Sequence, residues 1–127
     1  MTRGWEWADS WLLMGLTGKA ETLDQVIARM DGINHAIPTR EEIAVGLSWL
    51  SGAGLAEVGA GMYGLTPRGA DFVEEASGGT QLSYTAWDGV KAALQLLPHP
   101  AARPDVGISE DEYRRAVKTY QRSMRGR

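Results

Sequence analysis

The sequence predicts a mainly α chain in which three helices, a two-stranded hairpin and a fourth helix are followed by two more helices. Three observations carry this. Apolar residues recur at helical spacing in six separate stretches. Thr or Ser stands at the start of five of these stretches and proline or glycine near their ends. One glycine turn, Gly59-Ala60-Gly61, separates two short apolar runs, as in a hairpin.

The first helix spans residues 5–16, with Trp7, Trp11, Leu12 and Leu16 at helical spacing and glycines at 15 and 18 to close it. Thr22 caps the second, Asp24 sits in its positive first turn, and Leu23, Val26, Ile27 and Met30 form its stripe. It fades near Asp31-Gly32, with Ile33 and Asn34 as a possible extension, and His35-Ala36-Ile37-Pro38 is the turn. Thr39-Arg40-Glu41-Glu42 is a capping box opening the third helix, whose core stripe is Ile43, Leu47 and Leu50. Strands follow at 55–58 and 62–65. Thr66 and Pro67 start the fourth helix, with Ala70, Val73 and Phe72 inward. Residues 77–80 form a loop, and a fifth helix at 83–97 turns Ala86, Trp87, Val90, Leu94 and Leu97 to one side. A linker at 101–107 leads to Ser109-Glu110-Asp111-Glu112, another capping-box start, and to a last helix with Tyr113, Val117, Tyr120 and Met124 on one face. Residues 1–80 and 81–127 are expected to share one compact unit, the second part packing on the first or on a second copy.

Composition narrows the function. The chain has 127 residues and no cysteine, which excludes disulfides and thiolate metal sites. No apolar run approaches the roughly 20 residues that span a bilayer. A soluble, cytoplasmic protein is expected. The net charge of −3 is uneven: residues 1–112 carry seven bases and all sixteen acids, a balance of −9, while 113–127 carry six bases and no acid. An acidic body repels phosphate and a basic tail attracts it. No nucleophile–base set, phosphate loop or dinucleotide fingerprint is present, the paired acids read as helix starts or solvated faces, and His35 and His99 lack neighbouring ligands. Neither enzyme, metal nor cofactor is expected.

The residues of the third helix and hairpin carry a resemblance. Ala44, Leu47, Leu50, Gly54, Leu55 and Val58 lead into Tyr63, Leu65, Thr66, Pro67 and Gly69. This resembles the MarR-like and PadR-like branches of bacterial winged helix-turn-helix regulators, in which a recognition helix ends in Gly-Leu and the second wing strand ends in Leu-Thr-x-x-Gly. The resemblance spans about residues 8–76. It implies a DNA-binding transcription regulator, with the third helix in the major groove, dimerised through its terminal helices. Carried over position by position, it brings Arg40, Val45 and Ser48 to the groove and Arg68, Arg114, Arg115, Lys118 and Arg122 to phosphate.

The residues leave a second reading open. With Ile43, Leu47 and Leu50 inward, steps of 100° turn Glu41, Val45, Ser48 and Gly52 outward, with Glu42 and Trp49 beside them. Base edges are read by Arg, Lys, Asn or Gln, and the hairpin turn carries no base. That face suits a winged-helix protein–protein interaction module that binds no DNA, through Glu41, Val45 and Trp49. The five tryptophans are expected mainly to pack, Trp49 either packing under the C-terminal helices or meeting a partner.

Overall fold

The computed structural model describes residues 4–78, 84–98 and 106–125; side chains are described for all of these but Tyr84, Thr85 and Arg125. Half of the loop expected at 77–80, most of the 101–107 linker, His99 and Arg127 lie outside them. The described chain is mainly helical with a small antiparallel sheet. In order it forms α1 (Trp7–Gly15), β1 (Glu21–Thr22), α2 (Leu23–Asn34), α3 (Arg40–Gly52), β2 (Ala56–Gly59), β3 (Met62–Leu65), α4 (Pro67–Ser77), α5 (Tyr84–Gln95) and α6 (Glu110–Arg125).

The caps sit where the hydroxyl side chains require. Thr39 Oγ1 accepts from Glu42 N at 3.1 Å while Glu42 Oε1 accepts from Thr39 N at 2.9 Å, satisfying two orphan amides of α3. Thr66 Oγ1 accepts from Gly69 N at 2.9 Å with Pro67 in the first turn of α4. Ser109 Oγ accepts from Glu112 N at 3.1 Å at the start of α6. The second helix runs through Ile33 to Asn34 and ends on His35 in a left-handed conformation, φ 55°.

The sheet has the order β1-β3-β2. The hairpin pairs Val58 with Tyr63 and Ala56 with Leu65, and β1 adds Glu21 opposite Tyr63. Two residues of strand, too short for a period-2 signal, are the element the sequence does not announce. Their position is secured by Arg29, whose Nη1 and Nη2 donate to the two Glu21 carboxylate oxygens at 2.6 and 3.2 Å, with a third bond to Gly15 O at 3.2 Å. This fork holds the Glu21 carboxyl below its ordinary range, the Arg29 hydrogen bond being the main cause.

Helix α1 is the centre of the core. Residues 8–16 are all buried, so α1 has no polar face, and it packs against α2, α3 and α5. Trp11 Nε1 donates to Met30 O at 2.8 Å, and Trp87 Nε1 donates to Ser10 Oγ at 2.8 Å, so each buried indole keeps its hydrogen bond. Gly46 permits the α1–α3 approach: a β-carbon there would stand 2.7 Å from Leu12 Cδ2. Trp5 is buried and donates to Leu97 O at 3.3 Å. The expectation for Trp7 is corrected. It lies at the first position of α1, stacks on Trp11 with ring centroids 5.6 Å apart, and stays 51% exposed. On α4, Ala70, Phe72 and Val73 are half-buried against the core.

The apolar side of α6 packs on its own chain, against α2. Ala116 and Tyr120 are buried, and Tyr113 and Val117 are half-buried. Met124, placed by its spacing on the same face, is instead 51% exposed near the end of α6.

Candidate interaction face

The third helix is less open than its helical wheel suggests. Ile43, Gly46, Leu47 and Leu50 are buried, as the stripe requires. Of the positions expected to point outward, Glu41 and Gly52 are exposed, but Val45 and Ser48 are half-buried. Trp49 is half-buried and packed against the core.

Arg40, the one base of α3, is engaged by the chain at the start of α6. Its Nε stands 3.2 Å from Glu110 Oε1 and its Nη1 donates to Ile108 O at 3.1 Å. Two more contacts hold the same end of α6 in place. Tyr113 donates its hydroxyl to Pro38 O, at 2.7 Å, in the turn before α3. Tyr63 on β3 donates its hydroxyl to the Glu112 carboxylate. Burial raises the Tyr63 phenol well above its ordinary value, and the Glu112 bond and charge add to this. Burial also raises Tyr113, with the charges of Glu42 and Glu110 contributing. The start of α6 therefore joins α3 and the turn before it to the sheet. Sequence spacing shows Ser109 and Glu112 as a cap and contains no signal for the partner of Glu112, Tyr63, 49 positions away on β3.

The hairpin supplies the rest of the face. Glu57, Val58, Gly59, Ala60 and Gly61 are exposed. Ala60 and Gly61 both have positive φ, 53° and 73°, the backbone of a tight primed hairpin turn. Glu57 and Glu41 are the exposed charges contributed by β2 and α3.

The other sequence-chosen bases do not gather here. Arg68 lies exposed at the start of α4, its guanidinium 3.6 Å from where a β-carbon on Gly54 would stand, past the far end of α3. Arg114, Arg115, Lys118 and Arg122 are exposed on α6, Arg114 within 3.8 Å of Glu110 and 3.6 Å of Asp111. They share the solvent side of one helix, opposite Ala116 and Tyr120. Among the described residues, no group of three or more His, Asp or Glu side chains could hold a metal, and no helix is long and apolar enough to cross a membrane.

No family model matches the chain, and neither the curated proteins nor the solved structures give a match.

Proposed function

We propose that the chain is a winged-helix module that binds a protein partner through the outer side of α3 and the β2–β3 wing. The winged-helix assignment is supported by the helix and strand order, by the β1-β3-β2 sheet with the hairpin following α3, and by the resemblance at Gly54-Leu55, Leu65-Thr66 and Gly69. The interaction reading rests on one observation above others. The only base on α3, Arg40, is held by Glu110 and Ile108 O, and what α3 and the wing expose is carboxylate and apolar: Glu41, Glu57 and Val58. Carboxylates at that position repel DNA phosphate, whereas a partly apolar, acidic patch suits a protein surface bearing Lys or Arg. Val45 and Trp49 would form its half-buried edge.

A second reading, a DNA-binding regulator, is favoured by the exposed bases of α6 (Arg115, Lys118, Arg122) and by Arg68, with a homodimer bringing two such sets to one duplex. One titration separates the two. The protein is mixed with a sheared pool of duplex fragments from its own source at low and physiological salt. The interaction module shows no retention even at low salt. Retention with a steep salt slope, lost when Arg115 and Lys118 are both changed to Glu, would establish the DNA reading instead.

A further inference from the structure

Where the second half of α6 crosses the end of α2, the two helices leave a groove that neither reading above uses. It consists of two adjoining clefts of about 460 and 380 Å³, both lined by Asp31, Tyr120 and Met124. Ile37 closes one side, and Ala28 and His35 the other.

Its chemistry is specific. Asp31 is half-buried between the clefts, and one of its carboxylate oxygens takes the Tyr120 hydroxyl. A carboxylate has about four acceptor sites, so Asp31, which lines both clefts, has acceptor capacity beyond the Tyr120 bond. Helix α2 also ends here, at the left-handed His35, whose N–H donates to Asp31 O at 2.7 Å. The end of a helix carries a partial negative charge that adds to the carboxylate. The rims are apolar and open: Ile37 is 37% and Met124 51% exposed. Among the described residues, no Lys or Arg lines either cleft. On a helical wheel Arg122 falls about 200° from Tyr120, on the far side of α6.

We propose that this groove is a binding site for an arginine side chain presented by a partner protein. The guanidinium takes the Asp31 carboxylate and the end of α2. Its methylene stem lies between Ile37 and Met124. Arginine fits better than lysine for two physical reasons. A planar fork can reach a carboxylate already occupied on one side by a phenol, and the weakly hydrated guanidinium loses less on entering a half-buried, apolar-walled groove. Methionine is the side chain that adapts most readily to such a stem. The Tyr120 hydroxyl has a role in this arrangement: it holds the carboxylate in one orientation, so little is left to order on binding. The site is separate from the α3–wing face, and its existence does not depend on that reading.

The test is a titration of isotope-labelled full chain, followed by amide resonances, with a short alanine–glycine peptide bearing one central arginine. The control peptide carries citrulline, which keeps the shape and removes the charge. The arginine peptide should shift the amides of Gly32, His35 and Ser123 in a saturable manner, and the citrulline peptide should not. Asp31→Asn should weaken binding about tenfold or more, the loss expected for a charge-assisted bond. Because Asp31→Asn also alters the Tyr120 contact, Met124→Ala, at an exposed position, serves as the second variant and should weaken binding severalfold with the amide spectrum otherwise unchanged. The proposal is overturned if these amides do not move, if citrulline binds equally, or if both variants bind as the parent does. Concentration-dependent shifts of the same amides without peptide would overturn the partner assignment in favour of a second copy.

Discussion

Arg40 and Glu110, seventy positions apart, form an ion pair at 3.2 Å that joins the start of α3 to the start of α6. The same guanidinium reaches Ile108 O, so the base that opens α3 is spent on intramolecular contacts. The pair lies at the surface, with the Arg40 side chain 39% and Glu110 66% exposed. Exposed pairs of this kind contribute little, about 0–1 kcal/mol. Arg40→Ala is therefore expected to lower unfolding stability by no more than about 1 kcal/mol, read by urea denaturation. A loss of several kcal/mol would mean that the pair anchors α6 far more strongly than its exposure implies.

Tyr63 predicts an alkaline limit to stability. Its folded phenol titrates above the unfolded value of about 10, because burial and Glu112 disfavour the phenolate. A group whose pKa is raised by folding contributes stability that is fully present below its unfolded pKa and lost as pH rises through the folded one. Stability should thus fall from about pH 10 upward, and Tyr63→Phe should make that fall shallower, Tyr113 supplying what remains. An identical slope in the two proteins between pH 9.5 and about 11.5 would remove Tyr63 from the account.

Ala60 occupies a conformation suited to glycine. At φ 53° its β-carbon crowds the following carbonyl, at a cost of roughly 1–2 kcal/mol. Ala60→Gly relieves this while adding freedom to the unfolded chain, so a net gain of about 0.5–1 kcal/mol is expected in thermal or urea unfolding. Destabilisation on this change would contradict the turn geometry.

Gly69 predicts the opposite sign. A β-carbon there would stand 1.9 Å from Leu55 O, and Leu55 O also accepts from Thr66 N at 3.1 Å. The clash is with backbone, which cannot swing aside. Gly69→Ala should cost about 2–3 kcal/mol by forcing α4 off the hairpin. A near-neutral result would show that α4 slides without penalty.

Much of the secondary structure is legible in the sequence because its signals are local. The Thr39–Glu42 box, Thr66-Pro67 and Ser109 mark helix starts through bonds within one turn. The hairpin turn at 59–61 is equally local, and β3 occupies the residues expected of it. The face of α3 was legible only in part. Its buried stripe follows from the 3.6-residue period, but the partial cover of Val45 and Ser48 depends on what packs nearby.

The sequence by itself determined where the helices start, the stripe of α3 and the charge contrast between acidic body and basic tail, since each depends on neighbours within a few residues. Only the tertiary structure decided what those groups do. It added β1, whose two residues make a strand only because β3 and Arg29 are there to meet them. It left Trp7 and Met124 in solvent at the ends of their helices, where packing partners run out. It also paired Arg40, a base that the resemblance would bring to a DNA groove, with Glu110, because closing a seventy-residue separation depends on how α6 docks on α2, which no local spacing encodes.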